Sequence, residues 1–165
     1  MGNRAKLSDL MESLEFPSQE GRFYYDRKES RIVRIDLSLL GEMEDGDEEA
    51  LSDLPEWQKP EIEIARAILS DRTGRFIDAP DPFDFDEYRL MERFIGTLAD
   101  NSMANRLYHA IQGQGAFRRF KDTLHQLGIE KQWFEYREKA MKASVIDWAE
   151  SNGVDFEDDV PDKRP

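Results

Sequence analysis

Cysteine is missing from the 165 residues of this chain, and histidine occurs only twice. The absence of cysteine excludes disulfides, zinc–thiolate sites and a cysteine nucleophile. The two histidines, His109 and His125, fit neither the H-x-x-x-H nor the H-E-x-x-H spacing of metal-binding helices. The sequence therefore predicts no metal site and no cofactor.

Long apolar runs are missing as well. No stretch approaches the ~18 apolar residues that a membrane-spanning helix needs. The N-terminal MGNRAKLSDLMESLEF lacks the apolar core of a secretory signal, and MGNRAK lacks the Ser or Thr of the myristoylation pattern. We therefore expect a soluble, cytoplasmic protein with no membrane partner.

Positive charge is in short supply, because 23 Lys and Arg face 36 Asp and Glu and leave a formal net charge of -13. Such acidity argues against broad affinity for nucleic acid or for anionic membranes. The chain nevertheless contains 10 Phe, 5 Tyr and 3 Trp, which indicates a packed globule. Because domains typically hold ~100–200 residues, this length predicts one domain over residues 1–165.

The first half of the chain combines helix and strand patterns. Helical spacing relates Leu7, Leu10, Met11 and Leu14. Two segments rich in aromatic and β-branched residues, 22–26 and 31–35, flank four polar residues and predict a β-hairpin. A helix over 59–71, with a proline in its first turn, is expected to bury Ile64, Ala65, Ala67 and Ile68. The segment GRFIDAP at 74–80 then predicts a short third strand.

The second half is predicted to be mostly helical. One helix is expected to begin at Asp84 or Asp86 as its N-cap and to turn one face inward, namely Tyr88, Met91, Phe94, Ile95 and Leu98. The next helix has Ser102 as its expected N-cap. A long last helix, roughly 130–151, is expected to stop at SNG with Gly153 in the C-cap role.

Two segments are expected to lie outside the packed core. Residues 42–56 hold eight acids and no base, which is typical of a mobile or loosely helical connector. The same segment could serve a basic partner or cover a basic helix of this chain. The tail 157–165 is expected to fray. The sequence thus predicts a single α+β domain, in which helices pack on a small antiparallel sheet of about three strands and the C-terminal half is predominantly helical.

One element runs against the overall acidity. Residues 102–142 carry eight Lys or Arg against four Asp or Glu, and GQGAFRRFKDTLHQLG at 113–128 lies at their centre. Its predicted apolar face consists of Ala116, Phe117, Phe120, Leu124 and Leu127. At about 100° per residue, Arg118, Lys121 and His125 project from one polar flank and Arg119 from the opposite one.

This basic helix has two interpretations. Arg118 can form an i, i+4 ion pair with Asp122, as part of a set of internal salt bridges. Alternatively, Gly113 and Gly115 expose backbone N–H groups that bind an anion together with Arg118, Arg119 and Lys121. The G-x-G pattern lacks the third glycine of dinucleotide sites and the G-K-[ST] of P-loops, so a tight turn between helices also explains both glycines.

Four segments give the chain a family resemblance: KLSDLMESLE, EIEIARAIL, RFIDAP with FDEYRLMERFI, and GAFRRFKDTLHQLGIEKQWFEYREKAMKASVIDWAESNGV. Together they resemble the bacterial uncharacterised protein family 0158 over nearly the whole chain, most specifically from Gly115 to Ala140. The resemblance implies a bacterial cytoplasmic protein with one domain. It implies no activity and no catalytic residues, but it singles out GAFRRFKD.

The leading functional prediction is a non-enzymatic binding or regulatory module. Its tentative contact residues are Gly113, Gly115, Arg118, Arg119, Lys121 and His125, and its partner is an acidic protein segment or a small anion. One alternative is an enzyme for a phosphorylated metabolite, with Arg118 as clamp and Asp122 as base. Another is a helix-turn-helix that reads base edges through Arg118, Lys121 and His125, which the net charge opposes.

Overall fold

The computed structural model describes residues 4–15, 21–46, 52–81 and 85–160. In these residues it has seven α-helices and a three-stranded antiparallel sheet, so the predicted α+β class is confirmed. The chain divides into two compact units, Met1–Pro82 with Asp147–Pro161 and Phe83–Ile146 with Asp162–Pro165. The single domain over 1–165 stays a prediction. No helix in the described ranges is long and apolar enough to cross a membrane.

The first unit contains the sheet. Its elements in chain order are β1 (Ala5–Lys6), α1 (Leu7–Glu15), β2 (Gly21–Asp26), β3 (Arg31–Asp36), α2 (Leu37–Glu44), a 3-10 turn (Glu56–Gln58), α3 (Lys59–Leu69), β4 (Phe76–Asp78) and β5 (Phe156–Glu157). The order β3–β2–β4 confirms the predicted hairpin and third strand. The hairpin turn contains no glycine, and Ser30 adopts the uncommon left-handed conformation with φ 53°.

Packing in the first unit follows the predicted periodicity fully in α1 and in part in α3. The four apolar residues predicted for α1 are buried: Leu7, Leu10, Met11 and Leu14. In α3 the fully buried residues are Ile62 and Ala65, which pack with residues of β3 and α2. Of the predicted set, Ala65 is fully buried, and Ile64 and Ile68 are half-buried and pack against the same cluster. Ile62 is a core residue that the prediction missed.

The two segments expected to lie outside the core contain regular structure in their described residues. Helix α2 extends into the acidic segment as far as Glu44, residues 47–51 lie outside the described residues, and Glu56 begins the 3-10 turn. In the tail, Glu157 pairs with Lys6 in a parallel β1–β5 ladder. Asp159 accepts a hydrogen bond of 2.9 Å from the backbone N–H of Ser8. Residues 161–165 lie outside the described part of the chain.

The second unit is helical. It contains α4 (Glu87–Gly96), α5 (Asn101–Ala110), α6 (Ala116–Leu127) and the larger part of α7 (Glu130–Ser151), whose residues from Asp147 onward belong to the first unit. Its aromatic core centres on Trp133, whose ring meets those of Phe120 and Phe94 edge-on at centroid distances of 4.8 and 5.3 Å. Edge-to-face contacts of this kind add to the energy of apolar burial.

The N-termini of α4 and α5 are capped by acidic side chains, and one of the two N-cap residues differs from the prediction. Asp86 caps α4 by accepting a hydrogen bond from Arg89 N–H, while Asp84 lies outside the described residues. The predicted N-cap Ser102 of α5 was wrong: Asp100 accepts from the N–H groups of Ser102 and Met103. A carboxylate two residues earlier takes the cap because its charge is also favoured at the positive end of the helix.

Candidate interaction surface on helix α6

Helix α6 begins and ends at glycines for conformational reasons. Gly115, immediately before it, has φ 75°, and Gly128, immediately after it, has φ 70°. Gly113 in the preceding loop has φ 76°. L-residues with a Cβ adopt this left-handed region at a cost, so glycine is the residue that lets the chain turn sharply from α5 into α6. The tight turn between two helices is therefore present.

The residues between these glycines separate cleanly into buried and exposed faces. Ala116, Phe120 and Leu124 are buried, as the predicted apolar face requires. Phe117 belongs to that predicted face but is 47% exposed, so its assignment to the core was wrong. At about 100° per residue, Phe117 lies at the margin of the apolar arc and next to Lys121 one turn later.

Arg119 is directed toward the glycine loop. Its Nε donates to the carbonyl oxygen of Ala110 at 2.9 Å. Its two Nη groups donate to the carbonyl oxygens of Gln114 and Gln112. One guanidinium group therefore ties together the end of α5, the glycine loop and the start of α6.

The position of Arg119 is electrostatically balanced. A cation in the first turn of α6 faces the positive end of that helix dipole, which is unfavourable. The same guanidinium lies at the C-terminal carbonyls of α5, where a cation is favoured. Arg119 thus stabilises the connection between the two helices, a role that sequence reasoning did not assign to it.

Arg118 and Lys121 differ from Arg119 in having no such contacts. Both are exposed. Neither has a hydrogen-bond or ion-pair partner among the residues that the structure describes. In particular, the expected i, i+4 pair between Arg118 and Asp122 is not formed. Two positive groups of a chain with 36 acidic residues are therefore not neutralised by the described carboxylates.

His125 lies one turn beyond Lys121 and has a carboxylate neighbour. Its Nδ1 contacts Glu130 Oε1 at the start of α7, and its side chain is 82% exposed. We call Phe117, Arg118, Lys121 and His125 the α6 basic face. The structure brings the three basic residues to one flank, as predicted, and separates them from Arg119.

Carboxylates with displaced pKa values lie in the first unit and have structural partners. Burial would raise the pKa of Asp26, but hydrogen bonds from Arg75 and from the backbone N–H groups of Lys28 and Glu29 outweigh burial and lower it. Backbone N–H groups of Phe76 and Thr73 lower the pKa of Asp71 to about 2. Within the described ranges, no three or more His, Asp or Glu side chains gather as a metal site.

Comparison with known proteins identifies a family. Residues 4–163 match the sequence model of an uncharacterised protein family, UPF0158, and the chain belongs to this family. Neither the curated proteins nor the solved structures include a match. The family membership confirms the resemblance inferred from the sequence and assigns no activity.

Proposed function

We propose that this member of family UPF0158 is a non-enzymatic binding module whose α6 basic face binds an acidic segment of a partner protein. The observation that carries the proposal is the state of Arg118 and Lys121, which are exposed and have no carboxylate partner among the described residues. The chain has a net charge of -13 and many carboxylates, yet none of the described carboxylates pairs with these two side chains.

The shape of the face favours a segment over a point anion. From Phe117 to His125 the helix rises about 12 Å at ~1.5 Å per residue, so its side chains follow one another along a line. Arg118 offers a planar fork for carboxylate recognition, and Lys121 offers a compact charge. Phe117 supplies the exposed aromatic contact that protein interfaces favour.

The affinity expected from such a face is moderate. Exposed ion pairs contribute only about 0–1 kcal/mol each because water and salt screen them. Apolar contact at Phe117 therefore has to supplement the charges, and binding should weaken as salt is added. A partner segment with alternating acidic and apolar residues satisfies both requirements.

The alternatives have less support. Clamping of a phosphorylated metabolite would use Arg118 with Asp122 as base, but both side chains are exposed and do not contact each other. A small anion could use the first-turn N–H groups that follow Gly115, without engaging Phe117 or Lys121. A nucleic-acid role would have to overcome the repulsion between phosphate and the overall negative charge.

The experiment measures binding of a fluorescein-labelled peptide of alternating Glu and Leu by anisotropy, at low and at physiological salt. We expect the double variant Arg118→Gln/Lys121→Gln to bind roughly threefold to tenfold more weakly, with Phe117→Ala also weakened. Lys131→Gln is the matched control, because this exposed lysine on α7 lies outside the face.

Equal affinity of the double variant and the wild type would contradict the proposal. Tighter binding of a short DNA duplex than of the peptide would favour the nucleic-acid alternative instead. Competition by inorganic phosphate that is unaffected by Phe117→Ala would favour the small-anion alternative.

A further inference from the structure

A groove in the first unit brings acidic and basic side chains to one opening. It lies between α1 and the β2–β3 hairpin and has a volume of about 570 Å³. Helix α1 contributes Asp9 and Glu12, whereas the hairpin contributes Phe23, Arg31, Ile32 and Arg34. We propose that this groove binds a small zwitterion with an apolar body, of the amino-acid or dipeptide class.

The charges that line the groove do not neutralise one another by contact. No ion pair or hydrogen bond links Asp9 or Glu12 to Arg31 or Arg34 in the part of the chain that the structure describes. Two acids and two bases give the lining no net formal charge. A simple anion would meet repulsion from the acidic side and a simple cation from the basic side, whereas a zwitterion satisfies both sides.

Arg34 has a defined place in the groove. It lies opposite Phe23 in the β2–β3 register, so the two side chains share a face of the sheet. A Cβ added to Gly21 would come within 2.7 Å of the Cζ and Nε atoms of Arg34. The absence of a side chain at Gly21 therefore lets the guanidinium group lie directly against the β2 backbone.

The remaining lining suits the apolar body of such a ligand. Phe23 and Ile32 are half-buried and line the groove together with the acidic and basic side chains. Ser13 is buried, and its hydroxyl donates to the carbonyl oxygen of Leu10 at 2.7 Å, so it leaves no unsatisfied polar group at the groove. The volume lies within the ~300–1,000 Å³ of small-molecule sites.

The test uses the full chain and four probes: phenylalanine, the dipeptide leucyl-phenylalanine, N-acetylphenylalanine and phenylalanine amide. The last two probes each lack one charge. We expect a zwitterion to raise the unfolding midpoint, since a ligand that binds only the folded chain stabilises it. We expect calorimetric affinity for it to exceed that for either blocked form by about tenfold. The tighter of the two zwitterions identifies the ligand length.

Variants locate the binding in the groove. Arg34→Gln and Glu12→Gln should each lower the affinity for the zwitterion, and Gly21→Ala should lower it while keeping all four charges. In an Arg34→Gln background, Gly21→Ala should have no further effect, because its action runs through the guanidinium group. Lys131→Gln, which lies outside both the groove and the α6 basic face, is the control and should bind normally.

Three results would overturn the proposal. The first is no midpoint shift with any of the four probes. The second is equal affinity for the blocked and zwitterionic probes. The third is unchanged binding by Arg34→Gln, checked to be folded by its circular dichroism. None of them bears on the α6 basic face, because the groove is built from different residues.

Discussion

Arg119 Nε donates a hydrogen bond of 2.9 Å to the carbonyl oxygen of Ala110 at the end of α5. The side chain of the neighbouring Arg118 forms no hydrogen bond or ion pair with a described residue. The adjacent arginines in GAFRRFKD therefore differ in their contacts, since only Arg119 hydrogen-bonds to the backbone of the α5–α6 connection. The helical repeat explains the difference, since consecutive residues are about 100° apart and only Arg119 faces the glycine loop.

Replacing Arg119 should cost stability, whereas replacing Arg118 should not. Arg119→Ala removes three hydrogen bonds to backbone carbonyls, and partial solvation of those carbonyls limits the expected loss to about 1–2 kcal/mol. Arg118→Ala removes no hydrogen bond or ion pair with a described residue and should change the stability by no more than about 0.5 kcal/mol. Urea denaturation of both variants measures the difference. Equal losses in the two would show that the carbonyl contacts of Arg119 contribute nothing.

The two loop glycines should differ in their tolerance of alanine. Both have φ near 75°, so alanine at either position should cost about 1–3 kcal/mol of backbone strain. At Gly115 the added Cβ would also lie 3.1 Å from Arg119 Nη1, whereas at Gly113 nothing lies within 4 Å. Gly115→Ala should therefore destabilise more in denaturant melts. The excess should vanish in an Arg119→Ala background, and its persistence there would contradict the proposed contact.

The regular elements could be predicted because their residue types and spacing carry a local signal. Aromatic and β-branched residues on either side of four polar residues located β2 and β3. The i, i+3, i+4 pattern located α1 with its buried face. The β1–β5 pairing could not be predicted, because two-residue strands carry no periodicity and join Ala5 to Phe156 across most of the chain. Helix α2 was missed because it is short and because its last three residues, 42–44, belong to the acidic segment whose composition suggested a connector.

For the candidate surface, the sequence predicted the helix flank on which each side chain lies but not the hydrogen bonds that it forms. The helical repeat separated Arg119 from Arg118, Lys121 and His125, as the structure also does. It could not reveal that Arg119 finds carbonyl oxygens, because those acceptors are backbone atoms and have no sequence signature. The exposure of Phe117 could have been predicted, because this residue lies at the edge of the apolar arc on the helical wheel. No sequence pattern predicted the groove beside Arg34, since its two sides come from elements that only the fold brings together.

Asp71 should titrate at unusually low pH. Its carboxylate accepts hydrogen bonds from the N–H groups of Phe76 at 3.0 Å and Thr73 at 3.1 Å, which lower its pKa from 3.8 to about 2. A lowered folded-state pKa means that this group stabilises the fold above pH 3.8 and that the contribution is lost as the pH falls toward 2. Carboxyl ¹³C NMR measures the midpoint. Thr73→Val should leave most of the shift, since both backbone donors remain, and a midpoint near 3.8 in the wild type would refute the assignment.

Asp26 should be the most sensitive carboxylate of the first unit. Its side chain is 1% exposed and accepts hydrogen bonds of 2.9 Å from both Nε and Nη2 of Arg75. Asp26→Asn keeps the shape of the side chain, but it places a neutral amide next to the Arg75 guanidinium group in place of the carboxylate. Breaking a buried ion pair typically costs about 3–5 kcal/mol, and the partial exposure of Arg75 reduces the expected loss to about 2–4 kcal/mol.

The control and the pH dependence make this prediction specific. Asp78→Asn breaks the exposed pair with Arg22 and should cost no more than about 1 kcal/mol. Because the pKa of Asp26 is lowered in the folded state, its stabilisation is complete above the unfolded pKa and disappears as the pH falls through the folded one. The stability difference between wild type and Asp26→Asn, measured by urea denaturation, should therefore shrink in acid. A difference that stays constant down to pH values well below 3.8 would mean that packing, not charge, makes Asp26 important.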